Sequence, residues 1–198
     1  MMYQYPLQMS FKLLAFGPQI SVKDASGQQM FYVHQKALKL KEDVGVFSDS
    51  SRGQQLFRIQ ADRIIDFSAA YTITDMNGMV LGKIRREGMR SIFKASYLVF
   101  NGADQQSHII SEDNPWVRVG DAVMESIPIL NMLAGYFFHP SYTAERTHGG
   151  EAMRLKKEPA FFESAFSVTS LDPALNNDEE RLLLLSYMMM ILLERARG

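Results

Sequence analysis

Cysteine is missing from all 198 residues, which removes disulfides, thiol catalysis, cysteine metal sites and palmitoyl anchors at once. Charge of one sign is missing too: 21 Lys and Arg stand against 22 Asp and Glu, a net of −1. No global field therefore draws the chain to nucleic acid or to a membrane, and any such binding rests on a local patch. The N-terminal stretch MMYQYPLQMSFKLLAFG lacks a basic leader followed by a long apolar run and a small-residue cleavage site, so no signal peptide is expected and the expected location is cytoplasmic. Catalytic signatures are absent as well. There is no Gly-rich loop ending in Lys-Ser or Lys-Thr, no dinucleotide fingerprint, no nucleophile elbow and no zinc-type pairing, so neither an enzyme nor a cofactor is expected.

The stretch around which the chain is organised is the last one, NNDEERLLLLSYMMMILLERARG, residues 176–198. From Leu182 to Leu193 every residue except Ser186 is apolar or aromatic, so a helix here is greasy around its whole circumference and must be surrounded. At 1.5 Å per residue the run spans about 18 Å, short of the ~30 Å of a bilayer core, which favours burial in protein. Asp178, Glu179 and Glu180 stand where a helix N-terminus welcomes anions, and Arg195 and Arg197 where the C-terminus welcomes cations. Asn177 is the expected N-cap, with Glu180 reaching back in a capping box.

Ahead of this helix the chain reads as strands. Leu7 to Phe16, Ile20 to Lys23 and Met30 to His34 are short apolar or aromatic runs, the first two separated by Gly17-Pro18. Three times an Asp, a short gap and a Gly precede a strand: Asp24 with Gly27, Asp49 with Gly53 before Leu56 to Ile59, and Asp75 with Gly78 before Val80 to Ile84. In Ser68 to Asp75, Ala69, Tyr71 and Ile73 share one face, as a half-buried strand requires. Ser91 to Phe100, Glu151 to Leu155 and Ala160 to Leu171 are further strands, the last two separated by Lys156-Lys157-Glu158-Pro159. So many short strands must close or sandwich to hide their edges, and a closed barrel would need a plug such as the final helix.

The middle differs. Asn114-Pro115-Trp116 opens a segment with a helical start, interrupted by Pro128 and followed by the apolar run Ile127 to Phe138. It is either a buried helical excursion or an exposed contact surface for a membrane or a protein, with Trp116, Ile129, Leu130, Phe137 and Phe138 as the contacting side chains.

Candidate ligands are few. His34, His108, His139 and His148 are scattered singly and read as ordinary imidazoles, so no metal is expected; Asp24, Asp49 and Asp75 read as turn residues. Met188-Met189-Met190 reads as core, the alternative being an adaptable cavity lining. One charge feature stands out: Lys83, Arg85, Arg86, Arg90 and Lys94 fall within GKIRREGMRSIFK, opposed by Glu87 alone. Alternation puts Lys83 and Arg85 on one face of their strand with Ile84 turned inward. The patch either holds lipid phosphates, each cation near an anionic surface contributing roughly 1 kcal/mol, or protects a strand edge from pairing. Few aromatics interleave with these charges, so nucleic acid is not expected.

The segments DASGQQMFYVHQK and TDMNGMVLGKIRREG, followed by more strands and closed by a wholly apolar helix, resemble the tubby C-terminal-like superfamily, which includes the LURP-one-related proteins and the phospholipid scramblases. The resemblance covers Pro6 to Phe100 and Ala160 to Gly198. It implies one domain over 1–198: a closed antiparallel barrel of about twelve strands around a central hydrophobic helix, with a helical insertion near 115–135 inside a segment of about 112–142. It also implies a non-enzymatic protein, peripheral to membranes through anionic phospholipid, or alternatively a protein-interaction or structural module using the apolar insertion. The acylated cysteines and calcium-responsive segment of scramblases have no counterpart here, so scramblase activity does not carry over.

Overall fold

A computed structural model describes residues 3–14, 17–34, 43–62, 69–87, 96–113, 140–160 and 164–195. Twelve strands form one closed antiparallel barrel, ordered β1-β12-β11-β10-β9-β8-β7-β6-β5-β4-β3-β2. They are β1 (Leu7–Leu14), β2 (Gly17–Lys23), β3 (Gln29–His34), β4 (Asp43–Phe47), β5 (Gln55–Ala61), β6 (Ala70–Asp75), β7 (Val80–Arg86), β8 (Ser96–Asn101), β9 (Gln106–Glu112), β10 (Ser141–Arg146), β11 (Glu151–Glu158) and β12 (Ser164–Ser170). Helix α1 (Asn177–Arg195) follows.

Eight strands make a barrel whose interior is filled by side chains alone, so twelve leave room for a helix about 10 Å across. That helix is α1. Every residue from Leu182 to Leu192 is buried, including Ser186. The wall meets it with alternate residues of each strand: Leu7, Met9 and Phe11 from β1, Ile20 and Val22 from β2, Tyr71 and Ile73 from β6, Ile84 from β7, Tyr97 and Val99 from β8. Tyr187, fully buried, donates its hydroxyl to the carbonyls of Met153 at 2.8 Å and Tyr142 at 3.2 Å, so its one polar atom is satisfied by the wall. The closest approach is at Gly82 of β7. A Cβ there would stand 2.2 Å from the Phe100 carbonyl oxygen and 2.7 Å from Leu182 Cδ1, so the strand is bare where the helix leans on it.

The hairpins at the α1 N-terminal end repeat one unit. In Asp24–Gln28, Asp75–Met79 and Asn101–Gln105 a side-chain oxygen accepts from the amides two and four residues on, between 2.8 and 3.0 Å. The fourth residue takes positive φ: Gly27, Gly78 and Asp104. This three-residue loop with a bulge is built from Asx chemistry. In the β4–β5 loop Asp49 bonds the Ser51 amide, but the positive φ falls on Arg52, not on the expected Gly53.

Several expectations are corrected. Gly17-Pro18 does not separate strands but opens β2, paired to Leu14 and Leu13. Lys156, Lys157 and Glu158 do not end β11; they pair with Ser167, Phe166 and Ala165 of β12. The N-cap is Asn176, one residue early, its Oδ1 accepting from the Glu179 amide at 2.9 Å and the Asp178 amide at 3.1 Å; Glu180 turns inward instead. Strands β4, β9 and β10 were not anticipated. The segment expected to be helical near 115–135 lies outside the described residues.

Adding a methyl at Gly82 forces strand or helix to move. Gly82→Ala is expected to cost about 1–3 kcal/mol in chemical denaturation, whereas Gly53→Ala, whose Cβ would meet only Ser51 Oγ at 3.4 Å, stays near wild type. Removing 178–198 exposes the whole lining and should yield insoluble or molten protein, as near-UV circular dichroism would report.

Candidate functional site

Alternation along β7 places its charges. Ile84 is fully buried against the core, so Lys83 and Arg85 point outward, as expected. They meet different partners. Lys83 Nζ lies 2.9 Å from Asp104 Oδ1 of the β8–β9 turn. Arg85 is exposed and its guanidinium carbon lies 5.4 Å from the centroid of the Phe100 ring, a cation–π contact that holds the side chain flat on β8.

Arg86 falls on the inward side at the barrel's end. Its Nε is 3.6 Å from Glu194 Oε1, and Tyr97 donates its hydroxyl to the same oxygen at 2.5 Å. Burial and the Glu194 charge push the Tyr97 phenol far above its ordinary range, so it remains a donor. Arg195 stacks over Phe11 at 5.6 Å and bonds Ser164. These contacts tie the C-terminal end of α1 to β1, β7, β8 and β12. The expected five-cation patch is thus divided: Arg85 is presented to solvent, Lys83 is ion-paired, Arg86 secures the helix, and Arg90 and Lys94 lie outside the described residues. Trp116, Ile129, Leu130, Phe137 and Phe138 also lie outside them.

What the topology does decide is the end from which these stretches depart. Glu87 N donates to Ser96 O and Asp113 N to Ser141 O, both at 2.9 Å, closing the β7/β8 and β9/β10 pairs at the end where α1 finishes. With β8 and β9 adjacent, the basic and the apolar stretches leave the barrel from neighbouring strands of one rim. Leu13, 75% exposed at the end of β1, belongs to the same rim.

The opposite end carries a polar cluster not anticipated from sequence. His108, 2% exposed on the inner face of β9, places Nε2 2.9 Å from Glu179 Oε1, while Nδ1 lies 3.0 Å from Ser107 Oγ. Arg146 of β10 donates from Nε to Glu179 at 2.8 Å and from Nη1 to Asp172 at 2.7 Å. His108 and Arg146, on two strands, clamp the first turn of α1 to the wall through Glu179; a separation of 71 positions between His108 and Glu179 leaves no local signal of it. Asp24, Asp49 and Asp75 are turn residues as expected, and among the described residues no group of three or more His, Asp or Glu would hold a metal. His34 ends β3, His148 lies in the β10–β11 turn, and His139 is outside the described residues.

The architecture, a closed twelve-stranded antiparallel barrel around one apolar helix, is the one that the resemblance to the tubby C-terminal-like superfamily implies. Residues 29–122, just under half of the chain, match the family model for LURP-one-related proteins. The match runs from β3 through β9; β1, β2, β10 to β12 and α1 complete the same barrel outside it. A solved X-ray structure of a protein from Arabidopsis thaliana superposes with a TM-score of 0.50 at 14% identity, covering 98% of this chain and 94% of that one, and shows the shared fold. Among curated proteins none matches significantly.

Burial holds His108 below its ordinary value of 6.5, the nearby Glu179 charge offsetting only part of that effect. The unfolded chain therefore binds a proton near 6.5 that the folded one refuses, and stability is lost as pH falls below 6.5 toward the folded value. The melting temperature is expected to drop more steeply between about pH 7 and pH 5 in the wild type than in His108→Gln. Parallel profiles for the two proteins would contradict the buried, neutral imidazole.

Proposed function

We propose that this LURP-one-related chain is a non-enzymatic, cytoplasmic domain that docks peripherally on anionic phospholipid head groups. The observation that carries the reading is the filled interior: α1 occupies the space that a ligand would take in an empty barrel, and leaves the outside as the working surface. No described helix is long and apolar enough to cross a membrane. The wall turns its apolar side chains inward, the inverse of a strand barrel built to face lipid.

The docking surface is the rim at the α1 C-terminal end. Arg85 stands outward beside it, Arg90 and Lys94 follow in the β7–β8 connection, and the stretch containing Trp116, Ile129, Leu130, Phe137 and Phe138 follows in the neighbouring β9–β10 connection. Cations for phosphate and apolar side chains for the acyl boundary are the two components of reversible membrane attachment. Arg86 is set aside from this role because it is committed to Glu194.

Flotation with vesicles containing a phosphatidylinositol bisphosphate at low ionic strength tests the reading. The wild type is expected to float, and binding to decline steeply with added salt. Arg85→Glu, Arg90→Glu and Lys94→Glu together should lower the bound fraction at least about tenfold, given roughly 1 kcal/mol per cation, with the thermal melt unchanged. No flotation at low salt, or flotation indifferent to the triple reversal, would remove the proposal.

A further inference from the structure

Among the described residues, four of the five exposed large apolar side chains stand at the α1 N-terminal end: Met76 is 55% exposed, Met79 60%, Val80 39% and Leu171 36%; the fifth, Leu13, belongs to the other rim. Three of them belong to one hairpin, β6–β7, whose tip is rigid: Asp75 Oδ1 accepts from Asn77 N at 2.9 Å and Met79 N at 2.8 Å, and Asp75 N donates to Met79 O at 3.0 Å. Nothing local requires apolar residues there. The other Asx turns of the same build carry Ala25-Ser26 and Gly102-Ala103 in the equivalent central places. A turn that projects methionines from a fixed backbone presents soft, adaptable contact area at little cost in backbone order.

The surroundings of this spur are acidic. Strand order places the β4–β5 turn with Asp49 on one side and the β8–β9 turn with Asp104 on the other; an added Cβ on Gly102 would stand 2.6 Å from Val80 O, so the spur and the β8–β9 turn touch. Leu182 packs on Gly82, and Asp178, one helical turn nearer this end and 82% exposed, therefore rises beside the start of β7. Lys83 is held by Asp104, Arg181 Nη1 lies 3.4 Å from Asp178 Oδ1, and Arg52 stands on the β4–β5 turn, so the four carboxylates of Asp49, Asp75, Asp104 and Asp178 exceed these three cations by one.

We propose that the β6–β7 spur is a docking site for a basic, apolar segment of a partner protein. Methionines and Val80 bury against its apolar residues, and Asp49, Asp75 and Asp178 meet its cations. An anionic membrane is repelled by the same carboxylates, so the two ends of the barrel sort their ligands by charge. The spur lies at the opposite end from the lipid rim, and the site is independent of whether that rim binds lipid.

Fluorescence anisotropy with a labelled amphipathic peptide of Leu and Lys, against its Leu and Glu counterpart, tests the site on the full chain. Saturable binding of the Leu/Lys peptide alone is expected, weakened about tenfold or more by Met76→Ser with Met79→Ser and by Asp178→Asn to a lesser degree, with unchanged melting. Because Asp178→Asn leaves the hairpin untouched, a folding defect in the double variant does not mask the result. Absence of saturable binding, equal binding by the double variant, or equal binding of the Leu/Glu peptide would overturn the proposal. A concentration-dependent increase in mass that the double variant abolishes would overturn it too, in favour of a second copy of the chain as occupant. Vesicle flotation of the Met76→Ser, Met79→Ser protein should match the wild type, which separates failure here from failure of the lipid reading.

Discussion

An α-helix with no polar side has one stable environment in water, the inside of something else. In this protein α1 is enclosed on every side by strand residues facing it in alternation, and a fully buried Leu, Ile or Met contributes about 1.5–3 kcal/mol relative to exposure. The dependence is mutual. Twelve strands closed around nothing would leave a void that water cannot favourably fill, so the barrel needs the helix as much as the helix needs the barrel. Gly82 marks where this mutual fit is tightest, since backbone and Leu182 together occupy the place of a side chain.

A wholly apolar rod slides and rotates without penalty unless its ends are anchored, and both ends of α1 are. At its N-terminus Asn176 caps the free amides while His108 and Arg146 grip Glu179 from two strands. At its C-terminus Glu194 is shared by Tyr97 and Arg86, and Arg195 reaches Phe11 and Ser164. Directional bonds at both ends, together with the Tyr187 hydroxyl midway, fix a register that non-directional packing leaves open. Some cations that look like surface charge in the sequence are consequently structural, and Arg86 is the clearest case.

The two rims differ because the strands are antiparallel. Tight Asx hairpins collect at one end, carrying their aspartates there, and the longer connections collect at the other. A chain with a net charge of −1 thereby acquires an acidic end that its composition does not announce. Separate rims thus give a filled barrel two outward surfaces of different chemistry.

Much of this architecture is legible in the residues themselves. The apolar circumference of Leu182 to Leu193 demands enclosure, the Asp-to-Gly spacing at Asp24 and Asp75 writes the hairpin, and alternation turns Ile84 in and Arg85 out, because each of these effects acts over a few residues. Strands β4, β9 and β10 were less legible: Gly45 interrupts a five-residue strand, and His108 and Glu112 put polar groups on the inner face of β9. What the tertiary structure alone decided is which distant groups meet. Pairing of His108 with Glu179, of Lys83 with Asp104 and of Arg86 with Glu194 depends on barrel closure and on the axial position of α1, and these set contacts between residues whose separation along the chain carries no information about distance. Local chemistry determined the elements and their inward faces; closure determined which cations remain free to bind and at which end they stand.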